Sequence, residues 1–172
     1  GLGNKFLANI RETNAVLMMV RCFDDPNVIH VSGSVDPMRD IDIIDLELAL
    51  ADVESAEKRV KKASGAAKTG SKEGKIELAL AEKVFNHLQA GKAARSMDLS
   101  DDDRKLVSTW GLLTAKPVLY CCNVGEGDLP NGNAWSDAVR ARAQKEAAGV
   151  VILCGKVEAE LAELAPEDRA EF

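Results

Sequence analysis

The sequence is poor in aromatic residues and in histidine, and it contains no long hydrophobic run. Aromatic side chains make up 4% of the 172 residues, whereas 46% are hydrophobic, and there are two histidines. No apolar run approaches the roughly 20 residues that a membrane helix needs, and no basic and apolar signal segment stands at the start. The composition predicts one or two small globular domains with an ordinary core, no membrane partner and a cytoplasmic location.

Disulfide and zinc motifs are also missing. The four cysteines show no CxxC spacing and lack the histidines that a zinc site would need; they are Cys22, Cys121, Cys122 and Cys154. Each lies at the end of an apolar run. They are predicted to be buried free thiols, and no metal site is expected within the chain.

The phosphate-binding motif G-x-x-x-x-G-K-[ST] occurs nowhere in the sequence. Both ends also predict a piece of a longer protein. Gly1 is not an initiator methionine, and the helix start at Pro166 is abandoned after a few residues. We therefore expect an internal fragment that lacks the phosphate loop.

Three unbroken apolar runs predict strands at residues 15–20, 118–122 and 150–154, with an amphipathic helix at 134–147 between the last two. Continuous hydrophobicity is typical of strands covered on both faces, and intervening helices imply parallel crossovers. The predicted fold class is α/β with a parallel sheet, preceded by a short helix at residues 4–12.

A long helical insertion separates the first two predicted strands. Leu46, Leu50, Val53 and Val60 lie on one helical face, and a second helical stripe follows the flexible tip at residues 64–75. Two such stripes predict an antiparallel helical hairpin, a short coiled coil. A further helix is predicted to open at Ser100 and return the chain to the sheet.

Basic charge is concentrated in this hairpin. The chain has a net charge of −6, yet residues 58–75 contain seven basic residues and one acidic residue. One interpretation is a solvated helix surface kept soluble by lysines. The other is contact with RNA or the ribosome through Lys58, Arg59, Lys61 and Lys62.

The segment Asn123-Val124-Gly125-Glu126 follows the second predicted strand, at the end where open parallel sheets bind ligands. Guanine-binding P-loop proteins carry Asn-Lys-x-Asp there, and its Asp accepts two N–H groups of guanine. Glu126 in place of that Asp argues against guanine. Taken alone, the pattern is also compatible with a plain turn.

His30 follows the first predicted strand after a polar break. One interpretation is an exposed loop histidine. The other is a side chain that orients a water molecule for attack on a phosphate. His87, in the hairpin, is predicted to be a surface residue.

Several stretches agree in order with one known family, and together they cover nearly the whole chain: GLGNKFLANIRE, RCFDD, HVSGSVDPMRDI, ELALAD, LLTAKPVLYCCNVGE and VEAELAEL. They resemble the YchF branch of the Obg family of translation-associated P-loop proteins. The resemblance implies a nucleotide-binding (Ras-like P-loop NTPase) domain formed by residues 1–40 and 106–172. It is interrupted by a helical hairpin domain at 41–105, and the family's usual TGS domain is not in this sequence.

The resemblance also implies a function. Members are similar in preferring ATP to GTP, with Mg, and in binding the ribosome (large subunit). Asn123, Val124 and Glu126 fall in the base-recognition motif, Phe23 near the adenine, and Cys154 and Gly155 in the last base-side loop. His30 falls on the catalytic loop histidine. With the phosphate and metal ligands outside the chain, this chain alone is expected to be inactive.

Two other functional hypotheses remain. The chain could act as a non-catalytic module that binds RNA, the ribosome or a protein through the basic hairpin. It could also be an α/β domain with an unrelated role.

Overall fold

The computed structural model describes residues 3–169 in full and the backbone of residues 170 and 171. A three-stranded sheet has the order β1-β2-β3, with β1 at Val16–Cys22, β2 at Val118–Val124 and β3 at Gly149–Leu153. β2 and β3 are parallel. The described helices are α1 (Asn4–Arg11), α2 (Pro37–Lys68), α3 (Lys72–Gln89), α4 (Asp101–Ser108), α5 (Ala134–Glu146), α6 (Gly155–Glu163) and α7 (Pro166–Glu171). The predicted α/β class is confirmed.

The chain folds into two compact units. The helical unit contains the chain up to Val16 together with Asp42–Pro117, and the sheet unit contains Leu17–Ile41 and the chain from Val118 onward. The domain division expected from the family resemblance, with the hairpin at 41–105, stays a prediction.

In the helical unit, α2 and α3 form the predicted helical hairpin, joined by three residues. Gly70 in this connection has a φ of +85°, which favours glycine. Near the tip the helices approach closely, because a Cβ on Gly74 would lie 2.8 Å from the backbone carbonyl carbon of Ala66. The core of this unit contains Ala49, Ala56, Leu80, Ala81, Val84, Leu88, Ala94, Met97, Val107, Trp110 and Leu112.

The buried face of α2 differs from the predicted one. Leu46 and Leu50 are 45% and 56% exposed, whereas Asp45 and Asp52 are buried. The two carboxylates are accommodated because each has donors: Arg95 pairs with Asp45, and Asp52 accepts bonds from Leu113 and Thr114. Val53 and Val60 of the predicted stripe do pack against the core. A hydrophobic pattern assigns acidic residues to solvent, so it misplaced Leu46 and Leu50.

His87 is likewise less exposed than predicted. It is half-buried, and its Nε2 lies 3.0 Å from the carbonyl oxygen of Ala93 and 2.9 Å from the hydroxyl of Ser96. Burial lowers the pKa of His87 below its ordinary value. Through its contacts with Ala93 and Ser96, the histidine holds the segment that follows α3.

Strand exposure differs within the sheet unit. Among the described strands, β2 is the one in which every residue is buried or half-buried. On β1, Met18, Val20 and Cys22 are buried, whereas Leu17 and Met19 are 59% and 57% exposed. On β3, no residue is buried and Val151 is 42% exposed. The prediction that all three strands are covered on both faces was therefore wrong for β1 and for β3. The reason is that β1 and β3 are the edges of the described sheet, and hydrophobicity alone does not reveal which neighbours cover a strand.

The four cysteines are buried and free, as predicted. Cys22 and Cys122 lie on neighbouring strands, and the hydrogen bond to Cys122 together with burial raises the pKa of Cys22. This thiol is therefore protonated and serves packing. Among the described residues, no helix is long and apolar enough to cross a membrane.

Candidate functional site

A cavity of about 250 Å³ lies where the three strands of the sheet unit end. In the parallel register of β2 and β3, Asn123 is opposite Leu153, so the loops that follow these strands begin side by side. β1 adjoins β2 and delivers its own following loop to the same edge. The lining residues are Phe23, Asp24, Asp25, Asn123, Val124, Gly125, Glu126, Cys154 and Lys156.

Asn123 has a fixed side-chain orientation in this cavity. Its Oδ1 accepts a hydrogen bond from the N–H of Gly155 at 2.9 Å. The acceptor end of the amide is therefore engaged with the protein, and the Nδ2 end is left to donate. A Cβ added to Gly155 would lie 3.4 Å from both polar atoms of this amide, so glycine permits the close approach.

Glu126 lies three residues further on, in the short 3-10 turn Glu126–Asp128 after β2. Its side chain lines the cavity together with Asn123, so a carboxylate acceptor and an amide donor share one site. Val124 is buried at the end of β2 and fixes the start of this loop.

Phe23 is held at the cavity by Arg21. The guanidinium lies 4.6 Å from the centre of the Phe23 ring, and Nε of Arg21 donates to the Phe23 carbonyl at 3.0 Å. A cation over an aromatic face is attractive, so the ring is restrained from one side.

Cys154 and Gly155 lie between β3 and α6. Cys154 is buried, occupies the N-cap position of α6 without a side-chain hydrogen bond to the helix, and lines the cavity. The N–H of Gly155, which the resemblance placed in the last base-side loop, donates to Asn123 in this structure. Gly155 thus acts on the cavity through the Asn123 side chain.

Asn133 connects the end of β1, the loop after β2 and the start of α5. The sequence analysis did not predict a role for this residue. Its Nδ2 donates to the carbonyl of Cys22 at 2.7 Å and to Asp128 Oδ2 at 2.8 Å, while its Oδ1 accepts from the N–H of Ser136 at 3.1 Å. The last bond caps α5. The Asn-x-x-Ser pattern before a helix was the available signal.

Asp24, Asp25 and Lys156 also line the cavity without having been predicted. Asp25 Oδ1 accepts the N–H of Asn27 at 2.8 Å and so shapes the turn after β1. Asp24 and Asp25 lie in the loop after β1, and Lys156 lies at the start of α6. Charged residues in these places carry no sequence signal for a shared cavity, since only the sheet brings the strand ends together.

His30 is not among the residues that line this cavity. Its Nε2 lies 2.9 Å from Asp40 Oδ2, and its Nδ1 accepts the N–H of Ser32 at 3.0 Å. The side chain is 14% exposed, which contradicts the interpretation of His30 as an exposed loop histidine. The structure places it against the first turn of α2.

The four basic residues proposed for partner binding differ in their surroundings. Lys58 and Lys61 form exposed pairs with Glu54 and Glu57 at 2.7 and 2.9 Å, and Lys62 is exposed. Exposed pairs of this kind are weak and leave the lysines accessible.

Arg59 is different. It pairs with Glu77 on α3 at 3.3 Å, and its guanidinium lies 5.2 Å from the centre of the Trp110 ring. It is partly buried and contributes to the packing of the hairpin.

Within the part of the chain that the structure describes, no group of three or more His, Cys, Asp or Glu side chains could hold a metal ion. The residues that line the cavity carry hydrogen-bond donors, acceptors and one aromatic ring.

Known proteins are similar to this chain along its full length. No family model matches the chain. It is 45% identical over 172 residues to the ribosome-binding ATPase YchF of Haemophilus influenzae and 43% identical over 174 residues to that of Bacillus subtilis, covering 100% of the chain and 47% and 48% of these relatives. The structure of the Schizosaccharomyces pombe YchF GTPase matches with a TM-score of 0.77 and 33% identity, covering 99% of this chain and 48% of that one.

The fold and the strand-end cavity define an α/β protein of the P-loop NTPase class with an inserted helical hairpin. Within that class, the chain belongs to the YchF branch of the Obg-like family, as its sequence predicted. It spans about half the length of the curated relatives that it matches.

Proposed function

We propose that the whole protein binds and hydrolyses ATP in association with the ribosome, and that this chain supplies the base-recognition side of the site. The observation that carries the proposal is the orientation of Asn123, whose Oδ1 accepts the Gly155 N–H while Glu126 lines the same cavity. The names of the relatives, ribosome-binding ATPases, support the same activity.

A preference for adenine follows from the donor and acceptor chemistry of the cavity. Adenine presents an exocyclic amine that donates and ring nitrogens that accept. Glu126 can accept from the amine, and the Nδ2 of Asn123 can donate to a ring nitrogen. The longer side chain of Glu126 would not reproduce the paired contacts that an Asp at this position makes with the two N–H groups of guanine. Phe23 supplies a flat apolar surface, and Val124 and Cys154 contribute further contacts.

The catalytic part of the proposal assigns His30 to the attacking water. A neutral imidazole has one nitrogen with a lone pair, which can orient a water molecule for in-line attack on the terminal phosphate. Mg²⁺, when bound, neutralises charge on the phosphates. We propose that its ligands and the phosphate loop lie outside this sequence, so the chain alone neither hydrolyses ATP nor binds it tightly.

Steady-state hydrolysis of ATP and GTP by the whole protein tests the proposal. We expect ATP to be preferred and His30→Ala to abolish most turnover while leaving ATP affinity unchanged. His87→Ala, which removes the other histidine, is the matched control and should retain activity. Undiminished hydrolysis by His30→Ala would exclude the proposed role of His30.

A separate titration addresses the isolated chain. Labelled ATP with Mg²⁺ should show no tight binding to residues 1–172 alone. A submicromolar dissociation constant would show that the proposed dependence on an external phosphate loop is incorrect.

The second candidate function is binding of the large ribosomal subunit or RNA through the hairpin. The exposed Lys58, Lys61 and Lys62 on a chain of net charge −6 favour it, since phosphate backbones attract such clusters. Both functions are compatible in one protein. A cytoplasmic location is part of the same proposal.

A further inference from the structure

Both ring nitrogens of His30 are occupied in the sheet unit. The N–H of Ser32 donates to Nδ1 at 3.0 Å, which requires a lone pair on that nitrogen. The proton of a neutral ring is therefore on Nε2, which lies 2.9 Å from Asp40 Oδ2. No nitrogen lone pair of His30 is left for a water molecule in this arrangement.

We propose that Asp40 is a positioning residue that holds His30 in a resting orientation, from which the ring is released before it orients water. The proposal rests on the catalytic role of His30 given above. Asp40 is well placed for this role because it belongs to the first turn of α2, whereas His30 belongs to the preceding loop. The contact thus joins a loop to a helix.

Arg39 closes the same loop from its other end. Its guanidinium donates to the carbonyl and hydroxyl of Ser34 at 2.6 and 3.0 Å and lies 3.4 Å from Asp40 Oδ1. The start of α2 therefore holds the loop at two points, His30 and Ser34, through two adjacent side chains. Release at Asp40 frees the ring without dissolving the whole attachment.

The neighbours of His30 indicate that the resting orientation has a cost. Ile29 and Val31 are 92% and 103% exposed, whereas the His30 side chain between them is 14% exposed. His30 begins a turn that is closed by the N–H of Gly33 on the His30 carbonyl at 2.9 Å. With the ring directed inward, the two β-branched apolar side chains beside it lie in water, which is unfavourable. A rotation that releases His30 also allows Ile29 and Val31 to be covered. The Asp40 contact opposes that rotation.

The test compares Asp40→Ala with Asp40→Asn in the whole protein. Loss of the hydrogen bond to a carboxylate should raise kcat for basal ATP hydrolysis by about tenfold with unchanged KM. Asp40→Asn retains an oxygen that accepts the Nε2 proton, so it should restore most of the restraint. Asp137→Ala, an exposed aspartate in the first turn of α5, is the matched control and should leave kcat unchanged.

Nitrogen NMR of the imidazole measures which ring nitrogen of His30 carries the proton. A purely structural role of Asp40 would leave that signal unchanged. In the unaltered protein, His30 should show an unprotonated Nδ1 and a protonated Nε2, and Asp40→Ala should shift this signature whereas Asp137→Ala should not. A protonated Nδ1 in the unaltered neutral ring, or a kcat that is unchanged or lower in Asp40→Ala, would overturn the proposal.

The double variant Asp40→Ala/His30→Ala separates the two proposals. If His30→Ala abolishes turnover and Asp40→Ala raises it only when His30 is present, both hold. If His30→Ala abolishes turnover but Asp40→Ala does not raise it, only the Asp40 proposal fails. If His30→Ala hydrolyses normally, the catalytic role of His30 fails and the Asp40 proposal fails with it.

Discussion

The side-chain oxygen of Asn123, at the end of β2, accepts a hydrogen bond from the backbone N–H of Gly155 at 2.9 Å. One residue thereby links the loops that follow β2 and β3 and presents its amide N–H₂ group to the cavity. These two functions of Asn123 can be separated by substitution.

We predict that Asn123→Asp in the whole protein weakens ATP binding about tenfold to hundredfold, because the donor to the base is removed. Its carboxylate can still accept the Gly155 N–H, so the denaturation midpoint should remain near that of the unaltered protein. Asn123→Ala should reduce both the affinity and the stability. Titration with a fluorescent ATP analogue and urea denaturation measure the two effects. Unchanged affinity in Asn123→Asp would refute base contact by this amide.

Asn133 should contribute more to the free energy of unfolding than a residue that only caps a helix. Asn133→Ala removes the cap of α5 and the donor to Cys22 and Asp128, and we expect it to lower the free energy of unfolding by about 2 to 3 kcal/mol. Ser100→Ala removes only a cap, the bond to the N–H of Asp103, and should cost about 1 kcal/mol. Denaturant titration of this chain distinguishes them. Equal costs would mean that the bonds to Cys22 and Asp128 contribute nothing.

Asp52 should contribute stability through three hydrogen bonds in the helical unit. It accepts from the N–H groups of Leu113 and Thr114, both at 2.8 Å, and from the Thr114 hydroxyl at 2.7 Å. Asp52→Asn directs an amide donor at one of these donors and should cost about 2 to 3 kcal/mol. Glu54→Gln, on the same helix but exposed, should leave the urea midpoint unchanged and is the matched control.

The same carboxyl group predicts a pH dependence. Burial raises the pKa of Asp52 above its ordinary value of 3.8, although the three hydrogen bonds oppose the shift. The folded state therefore holds the proton more tightly than the unfolded state. Tighter proton binding by folded Asp52 adds to the free energy of unfolding. This added stability is present in full below pH 3.8 and is lost as the pH rises through the raised pKa. The difference in free energy of unfolding between the unaltered chain and Asp52→Asn should therefore become smaller as the pH rises from 3.8 through the raised pKa. A difference that grows with pH would contradict the raised pKa.

Replacement of Lys58, Lys61 and Lys62 by Gln tests the hairpin as a binding surface. Arg59 is left unchanged because it packs on Trp110 and pairs with Glu77. We expect weaker binding of the whole protein to ribosomes or RNA. The slope of log affinity against log salt should become shallower by roughly 0.7 to 0.9 for each phosphate that the variant no longer neutralises.

A matched triple variant at exposed lysines outside the hairpin controls for net charge: Lys5, Lys105 and Lys145. It should bind as the unaltered protein does. If both triple variants bind as well as the unaltered protein, the hairpin lysines serve solubility, and if both weaken binding equally, only net charge matters.

The sequence by itself determined the kinds and order of the elements. The apolar runs that became β1, β2 and β3 were predicted to within two residues, because strands and helices have different hydrophobic periods. The helical hairpin was also predicted, but its two helices extend into the predicted flexible tip at 64–75, up to residue 68 and again from residue 72. The family was also predictable, since long stretches of residues agree in order. These properties depend on local pattern or on similarity along the chain.

Tertiary structure alone decided which side of α2 is buried, how His30 is held and what surrounds the base-recognition motif. Asp45 and Asp52 are buried because Arg95, Leu113 and Thr114 supply donors from distant parts of the chain. Asn133 reaches Cys22 across 111 positions in the sequence. A polar group is stable in a protein interior only with a partner, and the partner is chosen by packing, which no local pattern of residues records.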